Sequence, residues 1–313
     1  MSIASEITRL QNAKADIKTA IEAKGVTVPS NATIDTYDTY VSQISGGGGS
    51  NTSFVKLVEG SIQPNDINWT GITTVKDYAF SNCINLTTIT FPNNQLIRLG
   101  NHTCESCYNL ISVTFPNTDI NGLNITSTGT SICAYCSKLT TVTLPNNLTT
   151  INERAFYSCD DLTSISLPST LTTIGDYVFA ETGLTSITLP SGLTKLGNYC
   201  FQRTPLTSIT LPSSLTSIGS SCFQGSSLTS ISIPSSLTTI SNSAFSGCTS
   251  LTTATLPASL TEINSRLFYG CTSLSTINYT GTMSQWNGLT KGSSWKINVP
   301  ATVVHCSDGD VTL

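Results

Sequence analysis

The sequence predicts a repeat solenoid, rich in β-strand and built of about nine coils, behind a small N-terminal helical module. Three observations predict it. The phrase AFYSCDDLTSISLPSTLTTI, residues 155–174, returns in variant form between Ile72 and Ile277 as a unit of 22 to 24 residues. A fixed period in that range belongs to stacked coils, each of which buries its apolar side only against its neighbours. Within the copies apolar residues alternate with Ser and Thr, the mark of short half-buried strands. Before residue 46 the period changes to that of a helix, and the run GGGGS at 46–50 separates the two regimes.

Residues 1–24 read as a helix because Ile3, Ile7, Leu10, Lys14, Ile17 and Ile21 follow one another at alternating steps of four and three. This is the seam of a coiled coil with one cationic member, and Gly25 ends it. The seam of Ile3, Ile7, Leu10, Ile17 and Ile21 serves either homo-oligomerisation as a helical bundle or packing on the segment that follows. A helix of about three heptads is marginal alone, so both readings stand. A second short helix is expected where Ile34, Tyr37, Val41 and Ile44 recur behind the cap Thr33. The expected domains are an attachment or oligomerisation module (1–45), a Gly-rich linker that is either natural or engineered (46–50), the solenoid (51–276) and a C-terminal cap (277–313).

The solenoid is expected to open with a strand at Phe54–Val58. ITTVKDYAF (72–80) matches LTTIGDYVF (171–179) position by position, which makes the first coil a half repeat acting as a cap. Leu86, Leu110, Leu139, Leu162, Leu184, Leu206, Leu228, Leu251 and Leu274 open successive strands. In each, as at Leu162, Ile165 and Leu167, the apolar side chains should point inward. Prolines such as Pro168, Pro190 and Pro212 end the strands because they lack the N–H of a ladder. Pairs such as Leu171 and Ile174 form the return side, and Phe80, Phe156, Phe179, Phe201, Phe223, Phe245 and Phe268 plug the turn.

Ten of the eleven cysteines fall on this lattice. Cys83, Cys107, Cys136, Cys159, Cys248 and Cys271 stand three residues after the Phe position; Cys104 and Cys133 occupy that position itself; Cys200 and Cys222 take the small-residue slot held elsewhere by Ala155 and Ala244. Coils without the second Cys, near Gly183 and Pro205, are one residue shorter, so that slot belongs to the turn. Cys104–Cys107 and Cys133–Cys136 are both CxxC and, with His102 nearby, imitate a zinc site. The repeat explains their spacing without a metal, as buried thiols in adjacent coils, and no cofactor is expected.

Composition excludes several function classes. Only 10% of the chain is charged and the net charge is −4 without a basic cluster, so neither nucleic acid nor an anionic membrane is an expected partner. MSIASEITRL has no apolar core for a Sec signal, and no apolar run approaches a membrane span, which predicts synthesis in a cytoplasm without membrane insertion. His102 and His305 are the only histidines, and no GxSxG, HExxH or phosphate loop is present. Asp160 and Asp161 adjoin in a turn, where solvation or capping is their ordinary use. His305 and Cys306 should face opposite sides of a strand, which disfavours a nucleophile pair, and the chain is not expected to be an enzyme.

Three surfaces remain for binding: the outward strand positions, the turn after the Phe position and the inserted loop at 117–130. The outward strand positions are hydroxylic columns: Ser164 and Ser166, Ser186 and Thr188, Ser208 and Thr210, Ser230 and Ser232, Thr253 and Thr255. They suit multivalent contact with a glycan or protein, or are simply what an exposed strand tolerates; the mixing of Ser into the rows disfavours ice binding. The turn after the Phe position varies from coil to coil: Glu105, Tyr108, Tyr135, Tyr157, Glu181, Gln202, Arg203, Gln224 and Tyr269. Variation on a constant scaffold is how repeat proteins carry specificity. The third coil also holds about six extra residues between Pro116 and Cys133, which should leave the solenoid as a loop.

The pattern AFxxCxxLTxIxLPxxLTxI resembles the BspA-like leucine-rich repeats of bacterial surface adhesins over residues 72–310. The ending INYTGTMSQWNGLTKGSSWKINVPATVVHCSDGD is similar to the cap that follows such repeats. The resemblance implies a right-handed leucine-rich solenoid that binds partners. In the cap, Trp286 and Trp295 are expected as a closing plug in preference to a sugar platform, and SDGD as an Asp-Gly hairpin turn. The strings IASEITRLQNAKADIKTAIEAKGVTVP and TIDTYDTYVSQI resemble a small N-terminal module of phage tail and other virion proteins. That implies attachment to other virion proteins. Together the resemblances imply a virion-attached adhesin, at a phage tail or fibre, that recognises a host cell-surface glycan or protein; the alternative is a structural decoration whose solenoid touches only virion proteins.

Overall fold

The computed structural model describes residues 69, 74–94, 96, 98–118 and 125–313. The expected helical module with its seam, the linker and the strand at Phe54–Val58 lie outside the described residues, as do residues 119–124 of the inserted loop. Thr73–Leu313 forms one compact unit.

That unit is a β-solenoid of about nine coils, as expected, with three sides to each coil. On the strand side lie β2 (Thr88–Thr90), β4 (Ser112–Thr114), β5 (Thr141–Thr143), β10 (Ser230–Ser232), β11 (Thr253–Leu256) and β13 (Thr276–Tyr279). On the return side lie β1 (Thr74–Val75), β3 (Arg98–Leu99), β6 (Thr150–Ile151), β7 (Thr173–Ile174), β8 (Lys195–Leu196), β9 (Ser217–Ile218), β12 (Glu262–Ile263) and β14 (Thr290–Lys291). Pairing between coils is parallel and in register by repeat, as in Thr88↔Ser112↔Thr141 and Thr173↔Lys195↔Ser217. Apolar periodicity of two therefore becomes a stack in which each Leu and Ile meets its counterpart in the next coil.

The third side is an arc around the Phe position, and its geometry was not foreseen. Two residues in every coil, two before and two after that position, are left-handed: Tyr177 and Glu181, for example, with φ 56° and 57°. Three amides of the arc donate to the next coil, as in Tyr177 N–H to Asn198 C=O (2.8 Å), Phe179 to Cys200 (2.9 Å) and Glu181 to Gln202 (2.8 Å). Alternating hand turns the chain sharply while aiming every second N–H along the solenoid axis. The left-handed region costs a non-glycine residue about 1 kcal/mol or more, and the inter-coil bonds offset it.

Side chains complete the pairing. Asp77, Asn101, Asp176, Asn198 and Asn242 each accept, through Oδ1, an amide N–H of the following coil. Thr149, Thr172, Thr194 and Thr216 donate Oγ1–H to a carbonyl of the preceding coil at 3.0 to 3.2 Å. Hydroxyls, amides and the carboxylates of Asp77 and Asp176 thus supply side-chain bonds between coils. The core is a file of rings: Phe156, Phe179, Phe201, Phe223, Phe245 and Phe268 stack at centroid spacings of 5.3 to 6.0 Å and are fully buried.

At the C-terminal end, α1 (Met283–Gly288) starts at a capping box formed by Thr282 and Gln285. It buries Trp286 against Tyr279 (5.3 Å) and Trp295 (6.0 Å), so both tryptophans are plugs. β15 (Val303–Cys306) adds to β13 in parallel and pairs with β16 (Gly309–Thr312) as a hairpin. The turn is centred on Ser307 and Asp308 instead of Asp308 and Gly309; Gly309, at φ 143°, opens the second strand.

One expectation for the strand side is corrected. No strand forms over 164–166, 186–188 or 208–210, so the ladder breaks between β5 and β10. Ile165, Ile187 and Ile209 are only half-buried, whereas Ile89, Val113 and Ile231 are in the core. In these coils the sheet β6–β7–β8–β9 carries the pairing on the return side. On the strand side the Thr185–Thr163 bond is stretched to 3.4 Å.

Candidate binding surface

The structure separates two of the three expected surfaces by how firmly their side chains are held; the third, the loop at 117–130, lies partly outside the described residues. The column residues Ser164, Ser166, Ser186, Thr188, Ser208, Thr210, Ser230 and Ser232 are all exposed. Only Ser230 and Ser232 lie in a paired strand, and none of the eight has a side-chain hydrogen bond among the described residues. They form an unconstrained hydroxyl surface.

The arc is different. Tyr157 Oη and Ser158 Oγ both donate to Glu181 Oε2 at 3.2 Å, and Arg203 Nη1 donates to Glu181 Oε1 at 3.0 Å. Gln202 Nε2 donates to Gln224 Oε1 at 3.0 Å. Tyr135 sits edge-on to Tyr157 (5.2 Å), and Tyr157 edge-on to Tyr177 (6.2 Å). Tyr177 stacks on Tyr199 (4.6 Å, interplanar 10°) while the Arg154 guanidinium lies 5.0 Å over its ring. Four tyrosines of consecutive coils thus form one run, with Arg154, Glu181 and Arg203 packed along it. Tyr108 stands apart on the second coil, 49% exposed.

Sequence reasoning placed Tyr135, Tyr157, Glu181, Gln202, Arg203 and Gln224 on this edge and missed Tyr177, Tyr199 and Arg154. Those three stand two residues before the Phe position. The sequence writes the tyrosines in the recurring DYVF, NYCF and KDYAF, but their outward direction depends on the left-handed backbone at Tyr177, Tyr199 and Arg154, which only the structure shows.

Electrostatics follow from this packing. Partial burial raises the pKa of Asp160, helped by the negative charges of Asp161 and Glu181. Desolvation likewise raises Tyr177 and Tyr157. Neither Asp160 nor Asp161 has an ion-pair partner among the described residues.

The thiols occupy core slots. Cys107 Sγ–H donates to Phe80 C=O (2.9 Å), Cys136 to Cys104 C=O (3.0 Å), Cys159 to Cys133 C=O (3.2 Å), Cys248 to Phe223 C=O (3.0 Å) and Cys271 to Phe245 C=O (3.1 Å). Each bond reaches the Phe position of the coil before, so this slot requires a buried donor. In the shorter coils Thr182 and Thr204 fill the slot and bond the Phe carbonyl of their own coil at 2.8 and 2.9 Å. Both CxxC motifs are pieces of this ladder. Among the described residues no group of three or more His, Cys, Asp or Glu is arranged to hold a metal ion. His102 stacks on Tyr78 (4.5 Å) and pairs with Glu105 (3.1 Å); His305 pairs with Asp310 (2.9 Å) while Cys306 turns to the other side of β15. No helix among the described residues is long and apolar enough to cross a membrane.

Comparison with known proteins agrees with this architecture. The family model described as BspA type leucine rich repeat region matches residues 60–182 and 172–289 in 6 copies. No curated protein matches the chain in sequence. A leucine-rich repeat protein from Bacteroides ovatus superposes with a TM-score of 0.51 at 24% identity, over 71% of this chain; the match spans 64% of that protein's length. A leucine rich cell surface protein from Faecalibacterium prausnitzii gives 0.36 at 23% identity, over 70% of this chain and 86% of the other. A leucine rich repeat protein from T. pallidum gives 0.35 at 20%, over 74% and 77%.

Proposed function

Because the chain belongs to the BspA type leucine-rich repeat family, we propose that it works by non-covalent recognition, as a virion-attached adhesin whose solenoid contacts a glycan or protein on a host surface. The observation that carries this reading is the arc between Tyr135 and Arg203. Aromatic and polar side chains are there held in fixed positions on a rigid scaffold, so binding would cost little ordering. The resemblance of residues 1–45 to an N-terminal module of phage tail proteins supplies the virion end of the proposal. No catalytic step is part of it.

The test is binding of the purified full chain to candidate host cells before and after enzymatic removal of surface glycans, together with antibody labelling of particles in electron microscopy. Binding that falls on deglycosylation identifies a glycan receptor, and binding that persists a protein. Absence of binding in both states, or label confined to the capsid shell, would count against the adhesin.

A further inference from the structure

We propose that the tyrosine ledge spanning the coils of Cys133, Phe156, Phe179 and Phe201 docks a cationic polypeptide segment, one that presents lysine or arginine side chains; this rests on reading the solenoid as a binding scaffold. Tyrosine and arginine are the residues that most often anchor interfaces, because they bring large area with few rotors. Here the rotors are already fixed by ring contacts of 4.6 to 6.2 Å along Tyr135, Tyr157, Tyr177 and Tyr199.

The choice of a cation follows from which groups are already satisfied. Tyr177 is covered on both sides, by Tyr199 and by the Arg154 guanidinium, so the ledge already holds one cation over a ring. The open ring surface is at the two ends of the run. Tyr135 is 43% exposed, and beyond Tyr199 the next coil carries Ser221 at the equivalent place, with no ring to cover it.

Charge points the same way. Five carboxylates lie along the run, on Glu153, Asp160, Asp161, Asp176 and Glu181, against two guanidiniums, on Arg154 and Arg203, and the ammonium of Lys138, which donates to Asn109; Asp176 already accepts from Asn198 through both oxygens. Both guanidiniums are committed, Arg154 to Glu153 (3.7 Å) and Arg203 to Glu181 (3.0 Å). Asp160 and Asp161 follow Tyr157 by three and four residues, Asp160 within the field of Glu181, and neither has an ion-pair partner among the described residues. A neutral sugar laid here would strip water from those carboxylates and give back no charge, whereas a lysine or arginine offers its charge to the carboxylate and its stem to the ring. The contrast with the next coils is sharp: residues 204–261 contain no charged side chain at all.

The probe is a fluorescently labelled deca-lysine peptide, titrated against the full chain by anisotropy, with a deca-glutamate peptide and a neutral dextran oligosaccharide beside it. Deca-lysine should bind and the other two should not, and its affinity should weaken at least threefold between about 50 and about 300 mM salt, as screened surface charges require. Asp160→Asn with Asp161→Asn should weaken it about tenfold, and Tyr135→Ala with Tyr199→Ala, which leaves every charge in place, by a similar factor. Glu262→Gln with Asp310→Asn removes two carboxylates elsewhere and should change it less than twofold. Circular dichroism checks that each variant is folded. The proposal is overturned if deca-lysine does not bind, if dextran binds and the tyrosine pair abolishes it, or if the distant carboxylate pair weakens binding as much as the ledge pair. Host-cell binding by the unmutated chain is scored separately: a chain that binds deca-lysine but no cell keeps the ledge and loses the adhesin reading.

Discussion

Raising the pH should destabilise this solenoid, because burial holds the thiols of Cys83, Cys159 and Cys200 in their protonated form. Cys83 illustrates the magnitude. Burial, reinforced by Cys104, pushes its thiol from 9.0 up to about 12. Desolvation raises Cys159 and Cys200 as well. The sign follows directly: above pH 9 the unfolded chain releases these protons and the folded chain holds them, so stability is complete below the unfolded value and is lost as pH rises toward the folded one. At pH 10 Cys83 alone removes ~1.4 kcal/mol from a typical total of about 5 to 15 kcal/mol, and Cys159 and Cys200 act in the same direction. Lys291, lowered by burial, works in the opposite sense, as do Cys136 and Cys248, which the hydrogen bonds of Cys107 and Cys271 lower. Urea unfolding followed by circular dichroism in reductant, between about pH 7 and about pH 10, should show a flat midpoint to about pH 8 and a fall that steepens from about pH 9 to about pH 10. A variant with Cys83, Cys159 and Cys200 all changed to Ala should be less stable at pH 7 but fall less steeply. A midpoint unchanged at pH 10, or an equal slope in the triple variant, would refute the assignment of these thiols to a dry core.

Other outcomes follow from the same coordinates. Of the eleven cysteines only Cys306 is not fully buried, so the native chain should react with one equivalent of a thiol reagent and the urea-unfolded chain with eleven. Removing a ring from the file should cost more than any surface change: Phe223→Ala, whose ring has neighbours at 5.5 and 5.3 Å, is expected to lose about 3 to 5 kcal/mol in urea melts, and Phe223→Leu distinctly less. Two glycines should respond differently to alanine. A Cβ on Gly219 would lie 2.5 Å from the backbone of Asn198 and Gly197, an overlap worth about 1 to 3 kcal/mol or more. On Gly247 the nearest atom is 3.8 Å away and only the positive φ of 71° resists, at about 1 kcal/mol. Equal losses at the two sites would show that the coils are not in close contact at Gly219.

The scaffold was legible in the sequence because solenoid packing copies one-dimensional periodicity into three dimensions. Leu162 and Phe156 are buried because their counterparts one repeat away are buried, and no long-range fact is needed to see it. The cysteine slots were legible for the same reason. What the period could not convey was the hand of the backbone at the arc, since Tyr177 and Glu181 are left-handed through the inter-coil bonds of their amides and not through any preference of Tyr or Glu. That omission hid Tyr177, Tyr199 and Arg154, whose outward direction depends on it. Nor could the period show that Ile165, Ile187 and Ile209 leave the ladder, because the same LTSI phrase is written in coils that pair, such as the one holding β10, and in coils that do not.

The two halves of the surface therefore differ in kind, although the repeat writes both with equal regularity. On the strand side Ser164, Ser186 and Ser208 recur at matching places, yet among the described residues their hydroxyls have no partner and their backbone is unpaired. A ligand there would have to order each hydroxyl as it bound. On the arc the ordering is already done by folding, since Tyr157, Ser158 and Arg203 converge on Glu181 across three coils and Arg154 is fixed over Tyr177. The left-handed residues that make the arc tight also turn these side chains outward, so the strain of the turn and the presentation of the ledge have one origin. Where the coils shorten and the strand-side ladder lapses, the arc and the return strands still hold the stack in register. Specific recognition is thus expected from the edge that folding has already fixed, with the hydroxyl face as solvated covering of the core.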